Sequence, residues 1–406
     1  MRKLLWIGSY MDAQTEDYLK QTIQYRKPST SLSQRNILDG IEHLLGQSFD
    51  CIGAVSLHGF PKDKAIVVPN IVVKRLDGSC CRLVGFLNLV YINKLFSATA
   101  MKRAAKQWAK QNHCNDGLDV FVYEVRSACL ATAMLLKKMI PDTKIHLIVP
   151  DIPQYMDLHM NKVKRALKQL DWMLIKNDLQ FVDDCILYAD AMAEVLGVQD
   201  KPWIRMEGSI ALRQTTNIPM EHQAHANPEK CIIMYSGSIN KKFGLEKLIR
   251  AMGQLDDSYL LCLTGSGPDA QTVEAAAQGM DNVKYLGFLQ DQTEVMRLQS
   301  MASALINMRD PAEEASKYCF PSKLFEYMIS GKPVLSCRLE GIPEEYFDYL
   351  IPMNSIQPED IAAAIRQVAS KTPQECAQIG ERGKRFIEEK KNNIAQARRI
   401  IDFTLR

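Results

Sequence analysis

The stretch KYCFPSKLFEYMISGKPVLSCRLEGIPEEY, Lys317–Tyr346, decides how this chain is read. Pro321 suits the first turn of a helix, Ser322 and Lys323 follow in that turn, and Glu326 stands four residues after Ser322 on the same face. Exposed N–H groups and the positive end of the helix attract a diphosphate, and Lys323 adds a full charge. The Glu326 carboxylate is suited to accept both hydroxyls of a ribose diol. Gly331 ends the helix before a strand over Lys332–Ser336. An ordinary amphipathic helix, with Leu324, Phe325 and Met328 turned inward and Lys323 and Glu326 solvated, has the same spacing, so spacing alone does not separate the two readings.

Upstream, strand and helix alternate. Strands are expected over Cys231–Ser236, Tyr259–Thr264, Val283–Tyr285 and Ala304–Asn307, with helices over Leu245–Met252, Ala270–Gln278, Thr293–Met301 and Ser322–Ser330. Glycines stand at the turns: Gly237, Gly265, Gly267, Gly287 and Gly331. Such alternation predicts a parallel, doubly wound sheet, whose ligands gather at the C-terminal ends of the strands. The loop GSINKKFG therefore matters, because Gly237 permits close backbone approach after a strand and Lys241 and Lys242 precede a helix. Gly265, Ser266 and Gly267 either lie beneath a nucleotide or make a plain tight turn; a lone GxG does not indicate NAD.

The first half is less regular. A terminal strand runs into Gly8 and Ser9, and further strands are expected over Ile66–Pro69, Val120–Tyr123, Ile145–Val149 and Cys185–Tyr188. Helices are expected over Ala98–Gln111 and Val163–Ile175. Arg126 is placed either to bind an acceptor phosphate or to pair with Glu124. Asp151, between Pro150 and Pro153, reads as a helix cap or turn aspartate on local grounds. Glu207 and Gly208 either belong to a functional element preceding the linker or make an ordinary turn. Lys162, Lys164, Arg165 and Lys168 interleave with Val163, Leu167 and Leu170 in a basic amphipathic helix, which either rests on an anionic membrane or packs on its own domain.

With 406 residues the chain has room for two domains. The boundaries expected are a first domain over 1–209, a polar linker over 210–230, a second domain over 231–380, and a charged terminal helix over 381–406. The hydrophobic fraction of 47% and charged fraction of 24% are those of a soluble globular protein, which excludes a disordered chain. Leu83–Phe96, the most apolar long stretch, is broken by Asn88, Asn93 and Lys94, too short to span a bilayer and expected in the core. Eleven scattered cysteines without a CxxC pair suggest reduced thiols. His58, His146 and His159 form no ligand pattern, so no metal site is expected. Met1–Gly8 lacks the pattern of a secretory signal, and a cytoplasmic protein is expected, with peripheral attachment to the inner face of the membrane left open. Residues 1–206 carry 27 Lys and Arg against 21 Asp and Glu, and the remainder 23 against 26. The excess suits anionic headgroups but is too small to argue for nucleic acid.

YSGSINKKFGLEKLIRAM, LCLTGSGP, NVKYLGFLQ, ALINMRDPAEEASKYCFPSKLFEYMISGKPVLS and GIPEEY, in this order, resemble the retaining glycosyltransferases of the glycogen-synthase-like, group 1 superfamily; VPDIPQYM and KLLWIGSY carry a weaker likeness in the first half. The resemblance implies a GT-B architecture, two Rossmann-like doubly wound domains facing across a cleft, with the terminal helix crossing back onto the first. It implies transfer of a hexose, with retention, from a nucleoside-diphosphate sugar to a saccharide or lipid-linked acceptor in cell-surface polysaccharide synthesis. UDP is favoured over GDP, and no cofactor or metal is needed. It assigns donor contacts to Gly8, Gly237, Ser238, Lys242, Gly265, Gly267, Arg309, Ser322, Lys323 and Glu326, and catalytic roles to Lys242 and Asp151, the latter on the donor sugar. Two departures stand out. Ser238 replaces an arginine common in the family, which shifts the diphosphate onto Lys242 with Arg309 and Lys323. Tyr318 takes the place of the first of two glutamates, so only Glu326 carries over. A nucleotide-sugar epimerase, or a catalytically silent subunit regulating a partner transferase, remains an alternative.

Overall fold

The computed structural model describes residues 2–25, 28–75, 77–152, 162–211 and 230–405. Most of the 210–230 linker therefore lies outside the described residues. The chain forms two compact units, Met1–Ser209 with Asn393–Arg406, and Ile210–Asn392.

In the first unit the strands are β1 (Lys3–Ile7), β2 (Asp50–Gly53), β3 (Val67–Val68), β4 (Ile71–Lys74), β5 (Cys80–Leu83), β6 (Phe86–Leu87), β7 (Leu118–Tyr123), β8 (Thr143–Val149), β9 (Asp184–Leu187) and β10 (Trp203–Arg205). Eight of them make one sheet in the order β10-β9-β8-β7-β1-β2-β5-β4, parallel except for the β4–β5 edge; β3 and β6 pair separately and antiparallel. Strands β7 and β9 are buried along their whole length, as expected where helices cover both faces. Trp6 stacks on Phe121 at 6.4 Å and meets Phe49 edge-on at 6.5 Å. Within the apolar sheet sits one ionic chain: Arg2 Nε donates to Asp119 at 2.8 Å, and His146 bridges Asp119 at 3.2 Å and Asp184 at 2.8 Å.

The second unit is a six-stranded, all-parallel sheet of β11 (Cys231–Ser236), β12 (Tyr259–Thr264), β13 (Val283–Tyr285), β14 (Ala304–Asn307), β15 (Val334–Cys337) and β16 (Ile351–Met353), ordered β13-β12-β11-β14-β15-β16. The first five lie within two residues of the positions expected from the sequence, whereas β16, only three residues long with Pro352 at its centre, was not expected. The chain winds outward from β11 through β12 to β13, then returns to the other side of β11 at β14. That reversal makes the C-terminal ends of β11 and β14 the switch point of the sheet.

The expected single terminal helix is two. Pro373–Lys390 opens on a capping box between Thr372 and Glu375 and belongs to the second unit; Asn393–Thr404 belongs to the first. The break has a local cause: Asn392 Nδ2 donates to the Glu388 carbonyl at 2.6 Å, occupying the acceptor that its own backbone N–H would take in a continuous helix. The second segment packs on helix Pro28–Leu45, where Gly40 leaves no room for a side chain because a Cβ would lie 2.4 Å from the Asn393 carbonyl oxygen.

Leu83–Phe96 is only half core. Leu83, Val84 and Phe86 are buried, but Leu87, Tyr91, Ile92, Leu95 and Phe96 face outward, because the stretch leaves the sheet at β6 and turns into the surface helix Asn93–Gln111.

Candidate functional site: the strand ends of the second unit

Buried polar groups fix the ends of β11 and β14. The Tyr327 hydroxyl donates to the Ser236 carbonyl at 2.8 Å and accepts from the Ser236 N–H at 2.9 Å, closing the last residue of β11 from both sides. Burial pushes the Tyr327 phenol up to about 12, so it stays a donor at neutral pH. Gln299 Nε2 donates to Ser236 Oγ at 2.8 Å, and Asn307 Nδ2 to Ser336 Oγ at 3.0 Å. Side chains from two helices and three strands thus hold in place the point where the backbone leaves the sheet.

Two glycine loops continue the pairing beyond the strands. Gly237 N–H donates to the Thr264 carbonyl at 3.0 Å and Ile239 N–H to the Ser266 carbonyl at 2.9 Å, while Tyr235 Oη ties down the Ser238 carbonyl at 2.8 Å. Gly265 and Gly267 are required by this approach: a Cβ on the first would lie 1.7 Å from the Gly237 oxygen, and on the second 2.0 Å from that of Ile239. Gly265 also has φ +146°, a conformation closed to other residues. Both glycines therefore brace the GSINKKFG loop, whose Gly237 and Ser238 lie at its start. From this base one turn, Lys241–Phe243, lifts away. Asn240 caps it through Lys242 N–H at 3.0 Å, and the Lys242 side chain is exposed. Arg309, just past β14, stacks on Phe243 at 5.1 Å, so its guanidinium comes to the same turn.

Helix Lys323–Ile329 follows, with Pro321 and Ser322 in its opening turn. Leu324, Phe325 and Met328 are buried, as the amphipathic reading requires. Lys323 and Glu326 are 40% and 38% exposed and pair with each other at 2.7 Å, offering an ammonium and a carboxylate side by side. A short turn, Glu314–Tyr318, ends on Tyr318, the residue read as standing in place of the first of the two glutamates.

Sequence reading missed Tyr327, Gln299 and Asn307, and also Phe288. Its ring is 64% exposed immediately after Gly287, whose carbonyl accepts the Gly265 N–H at 2.9 Å, so a free aromatic face stands beside the braced loop.

In the first unit Gly8 is buried at the end of β1, where a Cβ would meet Gln34 Oε1 at 2.5 Å; Gln34 in turn bridges Trp6 and Ser9. Arg126 Nη1 donates to the Ala54 carbonyl at 3.2 Å and lies 3.7 Å from Glu124, so both of its partners are within its own unit. Glu124 adopts φ 76°, a left-handed conformation uncommon outside glycine. Asp151 is exposed beyond β8, whereas Glu207 is buried. Among the described residues no three His, Cys, Asp or Glu side chains are grouped as metal ligands.

Residues 230–371 match the family described as glycosyl transferases, group 1. The match falls within the second unit and covers most of it. No curated protein sequence matches the chain. Solved structures match it from end to end: the E. coli trehalose-6-phosphate structure bound with UDP-2-fluoro glucose, at 11% identity, TM-score 0.65 and 98% coverage of both chains; the sucrose-phosphate synthase of Thermosynechococcus elongatus, at 16%, 0.62, and 99% and 98%; and Anabaena HepE in complex with UDP, at 13%, 0.65 and 98% of both. At these identities the likeness establishes the fold, which is GT-B. Every donor-side residue expected in the second half falls within the matched residues, on the loops and helix that follow β11, β12 and β14.

Proposed function

We propose that this chain transfers a hexose from a nucleoside-diphosphate sugar to a saccharide or lipid-linked acceptor, with retention and without a metal. The observation that supports it is the grouping of Lys242, Arg309 and the Lys323–Glu326 pair on the elements leaving the switch point of the glycosyltransferase domain. The leaving group is a diphosphate, whose charge grows as the glycosidic bond breaks. Lys242, Arg309 and Lys323 supply cations on elements already fixed by Tyr327 and the glycine loops, so little reorganisation is needed when that charge appears. Glu326 accepts from the ribose diol, and the exposed face of Phe288 stacks on the base. UDP is the favoured nucleotide, in keeping with the UDP and UDP-sugar bound by two of the similar structures. Asp151 is assigned to the donor sugar and Arg126 to the acceptor side; Gly8 supports the loop after β1.

Screening UDP- and GDP-sugars by calorimetry, then following nucleotide release with and without saccharide acceptors, tests this reading. Transfer predicts release that depends on acceptor, an axial product linkage from an axial donor, and activity that persists in excess chelator because the cations are the protein's own. Conversion of the donor sugar without acceptor would identify an epimerase. Tight nucleotide binding with no turnover would identify a silent subunit, the outcome that Tyr318 in place of a glutamate favours.

A further inference from the structure

Helix Lys162–Leu179 carries two apolar stripes. Ile175 and Leu179 are buried against the first unit. Val163, Leu167, Leu170 and Leu174 recur at spacings of four, three and four, which aligns them on a second face, and all four are exposed, Leu170 at 54%. The alternative of a helix whose apolar face is packed on its own domain accounts for the first stripe and leaves the second exposed among the described residues. The surface extends to a neighbouring element. Lys94 pairs with Asp171 at 2.7 Å, joining this helix to the start of helix Asn93–Gln111, where Tyr91, Ile92, Leu95 and Phe96 also face outward, Leu95 at 67%.

The surrounding charge has one sign. Helices Asn93–Gln111, Ser127–Met139 and Lys162–Leu179 lie side by side and contain, respectively, five, two and five Lys or Arg against none, none and two Asp or Glu, a balance of +10 in a chain whose total is +3. Exposed aliphatic residues of this extent, set among long cationic side chains, match the boundary between acyl chains and anionic headgroups. The aliphatic groups enter the apolar layer while lysine and arginine stems reach the phosphates.

We infer that this face of the first unit docks on an anionic lipid bilayer, with Leu167, Leu170, Leu174 and Leu95 inserted and the basic helices against the headgroups. The inference does not depend on the sugar site, and its test contains no sugar. The full chain is sedimented with vesicles of phosphatidylcholine alone and with phosphatidylcholine–phosphatidylglycerol vesicles, at low and high salt. Partitioning to the mixed vesicles is expected to exceed that to the neutral ones by about tenfold or more and to weaken with salt. The triple variant Leu167→Ser, Leu170→Ser, Leu174→Ser should lower it at least about tenfold with little change in thermal unfolding, since these side chains are 40% to 55% exposed. Arg165→Glu with Lys176→Glu should abolish the preference for anionic vesicles, and decides the matter should the triple variant fold poorly. Equal binding to both vesicle types, no binding, or variants that bind as wild type would overturn the inference. So would a dimer in analytical ultracentrifugation that the leucine substitutions dissociate, which would make the face a contact between two copies.

Discussion

Glu326 bears most of the donor-site assignment, and its surroundings make it separable from the fold. Among the described residues its ion-pair partner is Lys323, three residues earlier on the same helix, and both side chains are more than a third exposed. An exposed pair of that kind contributes at most about 1 kcal/mol, so Glu326→Gln should leave thermal unfolding almost unchanged. Its effect on a bound nucleotide is much larger. Glutamine keeps the shape but replaces two charged acceptor oxygens with one neutral acceptor and a donor. Each charge-assisted hydrogen bond is worth roughly 1.5–3 kcal/mol, so affinity for UDP should fall about ten- to a hundredfold. Calorimetry on both proteins, beside their melting curves without ligand, measures the two effects independently. Equal affinities with equal melting would return Glu326 to the role of a solvated helix residue and remove the ribose contact from the mechanism.

The glycine loops make a prediction of a different kind, because they shape the site without touching the ligand's charge. Gly267→Ala would press a methyl carbon to 2.0 Å from the Ile239 oxygen. The loops must part, and overpacking of this sort costs about 1–3 kcal/mol. Since the same loop leads into Lys242, nucleotide affinity should fall together with the melting temperature, which distinguishes this variant from Glu326→Gln; preserved affinity in a folded Gly267→Ala protein would show that the loops' register is irrelevant to the site. That these glycines serve close approach was open in the sequence, where a GxG turn beneath a nucleotide looks like any other. Strands β11 and β12 were legible because each is a short apolar run stopped directly by a glycine, the pattern a fully covered parallel strand demands, while β16 has only three residues and was not read. Other elements left weaker marks. Helix Ser127–Met139 is buried on most sides and so lost its polar face, and strand β5 and the edge strand β4 alternate over only four residues. Tyr327 and Gln299 escaped notice because their partner, Ser236, lies 91 and 63 residues away, and a contact that long has no signature in local spacing. Lys323 and Glu326 were visible for the opposite reason, their relation being confined to one turn.

The ionic chain Arg2–Asp119–His146–Asp184 ties the residue before β1 to strands β7, β8 and β9, and its protonation should govern how the first unit responds to pH. Burial on its own would lower the His146 pKa, but hydrogen bonds and charge from Asp119 and Asp184 outweigh it and hold the value above the ordinary 6.5. Burial would likewise raise Asp119, yet His146 and Arg2 hold its carboxyl below the ordinary 3.8. The signs define a window. A histidine whose folded pKa is raised contributes stability that is complete below its unfolded pKa and is lost as pH rises through the folded value. An aspartate whose folded pKa is depressed contributes stability that is complete above its unfolded pKa and is lost as pH falls through the folded value. The network is therefore strongest between about pH 4 and pH 6.5 and weakens on the alkaline side as His146 loses its proton. Replacing His146 by glutamine, which stays neutral and cannot donate to two carboxylates at once along the same line, removes this dependence. The melting temperature of wild type should exceed that of His146→Gln by the widest margin near pH 5 to 6, and the margin should narrow steadily toward about pH 9. A margin constant over that range would mean that His146 is neutral in the folded state throughout, bonded between the two aspartates as an uncharged ring, with the alkaline stability of the sheet set elsewhere.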